Sequence, residues 1–284
     1  MVSKGLNTKQ IGDLFGVNES TVRRWAMAGK IKYSSSAGGH RSFSYRNIVE
    51  FAKKRGLKLQ REQRISDKDK IFNDILDFSL KNDNNSIELL LVKLYLGGFK
   101  LADIMDDVIE KSLVALQAKL DQGSISVAEE HIARKVISKA LNGFKLSIAN
   151  QNTSSDKNIL CLNLENDIPD LPIDMIQILL EDNGYSVHNC GSHTSIDNIK
   201  NLLSKKKYEA IFIYLCDRQC CTSTLIDHID KTNSDLKEIA KLSKKHDIKL
   251  FLGGPYFKNI NPEVLKHYTK FTKYSEALQI NKIL

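Results

Sequence analysis

Long apolar runs are missing from this 284-residue chain. No stretch approaches the about 20 residues that a bilayer-spanning helix needs, and the first residues lack the apolar core of a secretory signal. The expectation is a cytoplasmic protein with no membrane partner. Cysteine is scarce, five in all. In a reducing compartment these read as free thiols or ligands and not as a disulfide framework. There is one tryptophan, no internal repeat and no long low-complexity tract. A nucleophile-base constellation, a phosphate loop of the G-x-x-x-x-G-K type and metalloprotease spacing are absent too, so no enzyme is expected.

What is present is an apolar fraction of 42%, that of a globular protein, on a chain long enough for two domains or three small ones. Its charge is segregated. Residues 1–64 hold 14 of the 42 Lys+Arg and 4 of the 34 Asp+Glu, a net of +10, which leaves 28 against 30, a net of −2, for residues 65–284. A basic end on an otherwise balanced chain is expected where one domain meets a polyanion.

Within that end, Thr8 can cap a helix over Lys9–Phe15, whose Ile11, Leu14 and Phe15 share a face. Gly16-Val17-Asn18 makes a tight turn, with Asn18 a cap for a second helix, Glu19–Ala28. Val22 and Trp25 face inward there, which leaves Ser20, Thr21, Arg23 and Arg24 outside. Gly29 stops the helix. A hairpin follows, Lys30–Tyr33 returning through His40–Phe43, with a small-residue tip at Ser34–Gly39 flanked by Lys30, Lys32, Tyr33, His40 and Arg41. Ser44 caps a third helix, Tyr45–Lys54. This is the outline of a winged helix-turn-helix over residues 1–57, in which the second helix enters a major groove and the hairpin touches phosphates. Thr8 joins these residues in the expected DNA-contact set.

The matching residues, Thr8, Ile11-Gly12, Phe15-Gly16-Val17, Thr21-Val22, Trp25, Ala28-Gly29-Lys30 and Gly38-Gly39-His40-Arg41 with Phe43, resemble the MerR superfamily in its excisionase-like and BldC-like variety. The resemblance implies double-stranded operator DNA as the partner, bound by a dimer or higher array.

Gly56–Ser66 is polar and basic, a linker or connecting helix. Over 67–150 the periodicity predicts a four-helix bundle: Lys68–Lys81, Ser86–Tyr95, Leu101–Asp121 and Val127–Ala149. Ser126 and Glu129 stand at capping-box spacing. Over 156–284 short apolar strands alternate with helices. They are strands Lys157–Leu164, Tyr185–Asn189, Glu209–Leu215, Lys249–Leu252 and Thr269–Thr272, with helices Pro172–Asn183, Ser195–Lys205, Ser234–His246, Pro262–His267 and Ser275–Asn281 between and after them. That pattern predicts a Rossmann-like (flavodoxin-like) parallel sheet with ligands at its carboxyl end.

Gly123–Ala133, Gly184-Tyr185-Ser186-Val187-His188 and Gly253-Gly254 resemble the cobalamin-binding module of light- and cobalamin-responsive repressors of the CarH and CarA type. The resemblance implies a pocket in which Glu130-His131 and a tryptophan cover adenosylcobalamin and a loop histidine ligates its cobalt. Without the resemblance, Glu130 and His131 are ordinary polar residues of a bundle helix. The tryptophan position is Leu120, the histidine position Pro169 and a loop glycine Pro172; Glu165–Pro172 contains no histidine. A serine segment after the third strand reads Tyr214-Leu215-Cys216. The module is therefore expected to keep the fold and to have lost or replaced adenosylcobalamin as cofactor. A corrinoid bound without the histidine is the alternative.

Cys190, Cys216, Cys220 and Cys221 fall at or after strand ends. Cys216, Cys220 and Cys221 near His228 could bind a soft metal, although buried cysteine as a small hydrophobe is the commoner state. The sum is a transcriptional regulator whose rear part oligomerises and senses. A scaffold docking a partner such as an antirepressor, and a corrinoid enzyme subunit, are the other classes.

Overall fold

Asn7, one residue before the expected cap, starts the first helix. The structure, a computed structural model, describes residues 5–59, 68–149, 156–165, 171–216 and 228–283. The chain divides into two compact units, Met1–Ala149 and Asn150–Leu284. In the first, Asn7 and Gln10 form a reciprocal capping box on α1 (Thr8–Phe15), which places Thr8 inside the helix. Gly16, left-handed at φ 68°, ends it. Gly12 is required by contact: a Cβ there would lie 2.6 Å from the Val17 carbonyl oxygen. α2 (Glu19–Met27) starts after Asn18, whose side chain makes no capping bond. Val22 and Ala26 are its buried pair, while Trp25 is half-buried against Phe51, ring centroids 4.9 Å apart.

The hairpin begins later than the sequence suggests. Its strands are β1 (Ser34–Ser35) and β2 (Arg41–Ser42), paired antiparallel with Ser34 opposite Ser42. The physical reason lies in the preceding residues. Ile31 is drawn into the core at 2% exposure, and the Asn47 amide donates to the Lys32 carbonyl at 2.9 Å. These residues are therefore committed before pairing can start. Ser44 caps α3 (Tyr45–Arg55) through the Asn47 amide, as its position predicts.

The bundle helices follow: α4 (Lys68–Leu80), α5 (Asn84–Leu96), α6 (Leu101–Asp103) continuing through a π-helical turn Ile104–Ile109 into α7 (Glu110–Asp121), and α8 (Val127–Ile148). The π turn answers a spacing conflict. Buried residues recur as Ile104-Met105, Val108-Ile109, Ser112-Leu113 and Leu116, steps of four that an α-helix would carry round by roughly 40° each. A wider turn absorbs part of that drift. Ser126 and Glu129 make the capping box their spacing predicts. α3 packs on α5 and α8, where Lys53 lies over the Tyr95 ring at 4.9 Å. Burial and the nearby Glu88 and Asp83 carboxylates push the Tyr45 phenol up to about 12.

The second unit is a five-stranded parallel sheet, β3 (Asn158–Leu162), β4 (Ser186–Asn189), β5 (Ala210–Tyr214), β6 (Lys249–Gly253) and β7 (Thr269–Phe271), in spatial order β4-β3-β5-β6-β7. The intervening helices are α9 (Leu171–Asp182), α10 (Ile196–Lys205), α11 (Ile229–His246) and α12 (Pro262–Leu265), with α13 (Tyr274–Ala277) after β7. This is the Rossmann-like α/β class predicted from the alternation. One face carries Leu160, Leu162, Ile211, Ile213, Leu250 and Leu252, packed with α10 and α11 residues such as Ile199, Leu236 and Ile239. On the other, Phe212 stacks on Phe251 at 4.3 Å. α11 begins at Ile229, earlier than expected at Ser234, because His228 supplies no capping bond and so no sequence signal.

Gly12→Ala should lower stability by about 1–3 kcal/mol, the usual cost of overpacking a close contact. A fall in the thermal midpoint with unchanged helical circular dichroism checks it; an unchanged midpoint would refute the contact.

Candidate functional site

Two regions collect the residues that the sequence singles out. The first is the outer face of α2 with the hairpin. Anchoring by Val22, Ala26 and Trp25 leaves Ser20, Arg23 and Arg24 exposed, with Thr21 half-covered. Lys30, Lys32, Tyr33 and His40 are exposed and Arg41 is half-buried. Arg41 lies over the Tyr33 ring at 5.2 Å, and its Nε is buried without a hydrogen-bond partner. Thr8 departs from expectation. Its hydroxyl donates to Glu19 Oε1 at 2.7 Å, so it ties the start of α1 to α2 instead of facing outward. The same oxygen accepts from Arg23 at 2.7 Å. These bonds, Thr8 first and Arg23 second, hold the Glu19 carboxyl below its ordinary range. Arg24 donates to Thr21 Oγ1 at 3.1 Å. Glu19 was missed by the sequence reading, although its spacing to Arg23, one turn on, was visible.

The second region is the carboxyl end of the parallel sheet. The order reverses between β3 and β5, the switch point where ligands of such sheets bind. Glu165, after β3, pairs with Lys231 of α11 at 2.7 Å, and Lys231 also meets Asp235 at 3.1 Å. The bond to Lys231 lowers the Glu165 carboxyl, and the bonds to Glu165 and Asp235 raise the Lys231 amine. Tyr214 stacks parallel to Tyr274, centroids 5.9 Å apart. A Cβ on Gly253 would meet the Phe271 ring at 2.1 Å, and one on Gly254 would meet the Leu215 carbonyl oxygen at 2.1 Å. The space these glycines leave is therefore filled by the chain's own atoms. Together with a Glu165–Pro172 loop that has no imidazole in its sequence, this does not fit a corrinoid ligated by a histidine from that loop. Pro172 lies buried in the first turn of α9; Pro169 lies outside the described residues.

The expected cover residues differ in exposure. Glu130 and Arg134 of α8 form an ion pair in which Glu130 is fully buried, while His131 is half-exposed, its Nε2 3.9 Å from Glu130 Oε2. Neighbours on a helix point about 100° apart, so the two do not share a face. Leu120 is half-buried near the end of α7. Glu130 is thus buried against Arg134 of its own helix. Cys161 is fully buried and Cys216 is buried at 6% exposure, and burial raises the Cys161 and Cys190 thiols. Cys220 and Cys221 lie outside the described residues. Among the described residues no group of three or more His, Cys, Asp or Glu side chains could hold a metal, and no helix is long and apolar enough to cross a membrane.

Arg134→Ala should cost about 3–5 kcal/mol by stranding the Glu130 carboxylate. Urea unfolding measures it, and His131→Ala should leave the midpoint in place. Equal, small effects would show that Glu130 is solvated.

No protein-family profile matches this sequence, and no curated protein matches it. In fold it is similar to the monomethylamine corrinoid protein of Methanosarcina barkeri, with a TM-score of 0.58 at 13% identity, over 77% of this chain and 100% of that one. Looser likenesses, each with a TM-score of 0.36, are to the methanol:cobalamin methyltransferase complex MtaBC of Methanosarcina barkeri (17% identity, 78% of this chain and 81% of that one) and to a novel cobalamin-binding protein of Desulfitobacterium hafniense DCB-2 (15%, 77% and 98%). The chain has a Rossmann-like fold of the kind found in cobalamin-binding proteins.

Proposed function

We propose that this chain is a DNA-binding transcriptional regulator, a homo-oligomer whose first three helices and hairpin act as a winged helix-turn-helix of the MerR type. The observation that carries the proposal is the anchoring of α2. Val22 and Ala26 are buried and Trp25 rests on Phe51, while Ser20, Arg23 and Arg24 stay outside on the side of a helix that starts from a tight turn. Guanidinium groups so placed suit guanine edges, and the lysines and small residues of the hairpin suit phosphates. The basic excess of residues 1–64 supports the same reading. The α/β unit would then sense or assemble and perform no chemistry of its own. A change in its state, or docking of a protein antirepressor, would shift the assembly that presents the readers to spaced half-sites.

A second reading is favoured by one observation, the fold shared with the monomethylamine corrinoid protein over the whole of that protein. On this reading the chain carries a corrinoid, either as a corrinoid-dependent regulator or as a subunit serving a methyltransferase, and holds it without the loop histidine. Equilibration with adenosylcobalamin and methylcobalamin in the dark, followed by gel filtration, separates the two. Stoichiometric co-elution with a shifted absorption spectrum supports the second; its absence leaves the corrinoid fold as a scaffold.

For the DNA reading, Arg23→Ala should cost about 1–3 kcal/mol at the operator and much less on random duplex. Lys32→Ala should weaken both alike and reduce the salt slope by about 1. Gel shifts over a salt series read both, and identical profiles for the two variants would overturn the assignment of base and phosphate roles.

A further inference from the structure

Because every strand of the α/β unit runs parallel, all amino ends lie on one rim of the sheet. That rim is lined with lysine. Lys157 precedes β3, Lys206 and Lys207 precede β5, and Lys249 opens β6. α10 and α11 end on the same rim and add Lys205, Lys244 and Lys245. All of these are exposed. The carboxylates there are Asp156, Glu209 and Asp247 and, at the end of α9, Glu181 and Asp182; Glu209 is engaged with Lys207 at 3.3 Å and Asp247 with Lys249 at 3.8 Å. Lys205, Lys244 and Lys245 have no partner among the described residues. The basicity is a local feature, since residues 65–284 together carry a net charge of −2.

The rim is also shaped. A cavity of about 250 Å³ is lined by Lys205, Lys206, Lys207, Tyr208 and His246 among others. Lys206 Nζ lies 2.9 Å from His188 Nε2, and His188 Nδ1 lies 2.7 Å from the Tyr208 hydroxyl. An ammonium only donates, so Nε2 accepts and the ring proton sits on Nδ1, facing the tyrosine oxygen. Burial and the Lys206 charge hold that histidine below its ordinary range. Lys206 is thus fixed in place.

Basic residues in a last turn commonly offset the carbonyl end of a helix. That accounts for Lys205, Lys244 and Lys245, and Lys206 is the cap residue of α10; Lys157, Lys207 and Lys249 stand beyond the helix ends, the last two in exposed ion pairs. The same carbonyl ends would oppose a compact oxyanion seated in the cavity, because it would face oxygens and not N–H groups. A linear polyanion lying across the lysine tips stays farther from those carbonyls. Lys157 and Lys207 precede adjacent strands, about 4.8 Å apart, and Lys249 stands on the next strand, opposite Ala210.

We propose that this amino rim is a second contact surface for the phosphate backbone of duplex DNA. It rests on the DNA-binding reading and adds affinity that is independent of sequence. The experiment uses the full chain, a fluorescent duplex of about 60 base pairs and a salt series read by anisotropy. Against the wild type stand Lys205→Gln/Lys206→Gln/Lys207→Gln and, separately, Arg23→Ala. The triple variant should lose about 2–3 from the salt slope and bind every sequence more weakly by one common factor. Arg23→Ala should instead lose sequence preference. If Arg23→Ala weakens binding and the triple variant keeps the wild-type slope and affinity, the rim proposal falls and the DNA reader stands. If the wild type binds no duplex, both fall. Should the triple variant unfold, as its circular dichroism would show, Lys244→Gln/Lys245→Gln takes its place with the same expected direction. Loss of binding to phosphatidylserine vesicles in the triple variant, with an unchanged DNA slope, would assign the rim to a membrane surface and overturn the proposal.

Discussion

The burial of α3 is the interaction on which the first 149 residues depend. This helix places Tyr45, Ile48, Val49, Phe51 and Ala52 in the core. Through Phe51 it supports Trp25 of α2, and it packs against α5 and α8. The close fit there comes from small residues and buried polar groups. Gly143 of α8 leaves room for the Glu88 carboxylate, which a Cβ would meet at 2.5 Å, and Ser147 donates to that carboxylate at 3.4 Å. Burial accordingly raises the Glu88 carboxyl. The basic α2 face is held by the same helix that rests on the bundle, so head and bundle form one packed body. Close-packed interiors transmit displacements. On the regulatory reading, a change in the bundle helices is therefore passed to α2 by contact.

In the α/β unit the corresponding constraint is aromatic filling of one sheet face. Phe212, Phe251 and Phe271 close together, with Tyr214 and Tyr274 stacked at the carboxyl end. Gly253 belongs to this arrangement because only a residue without a side chain admits the Phe271 ring. A glycine pair after a strand is equally the mark of a ligand cradle, and sequence does not distinguish the two. Across the switch point, Glu165 and Lys231 spend their charge on each other. The fold found in cobalamin-binding proteins is thus present, with the space at Gly253 and Gly254 filled by the chain's own atoms.

Charge follows the same division of labour. The excess of residues 1–64 is visible in composition, whereas the lysines of the sheet's amino rim are hidden in it, balanced by the acids of the same unit. Parallel topology gathers residues that are distant in sequence onto one edge.

The sequence by itself determined whatever is settled within about one turn or one strand. The caps at Ser44 and Ser126, the alternation that gives a parallel sheet, and the inward Val22 were all legible, because each rests on neighbours within four residues or on a simple period. Glu19–Arg23 and Glu130–Arg134 had a legible spacing but not a legible fate. Whether such a pair is solvated or buried depends on what packs over it. The late start of the hairpin, the π turn, the burial of Glu130 and the filling of Gly253 were decided only by the tertiary structure. In each of these, partners remote in sequence compete for one volume, and close packing admits a single winner.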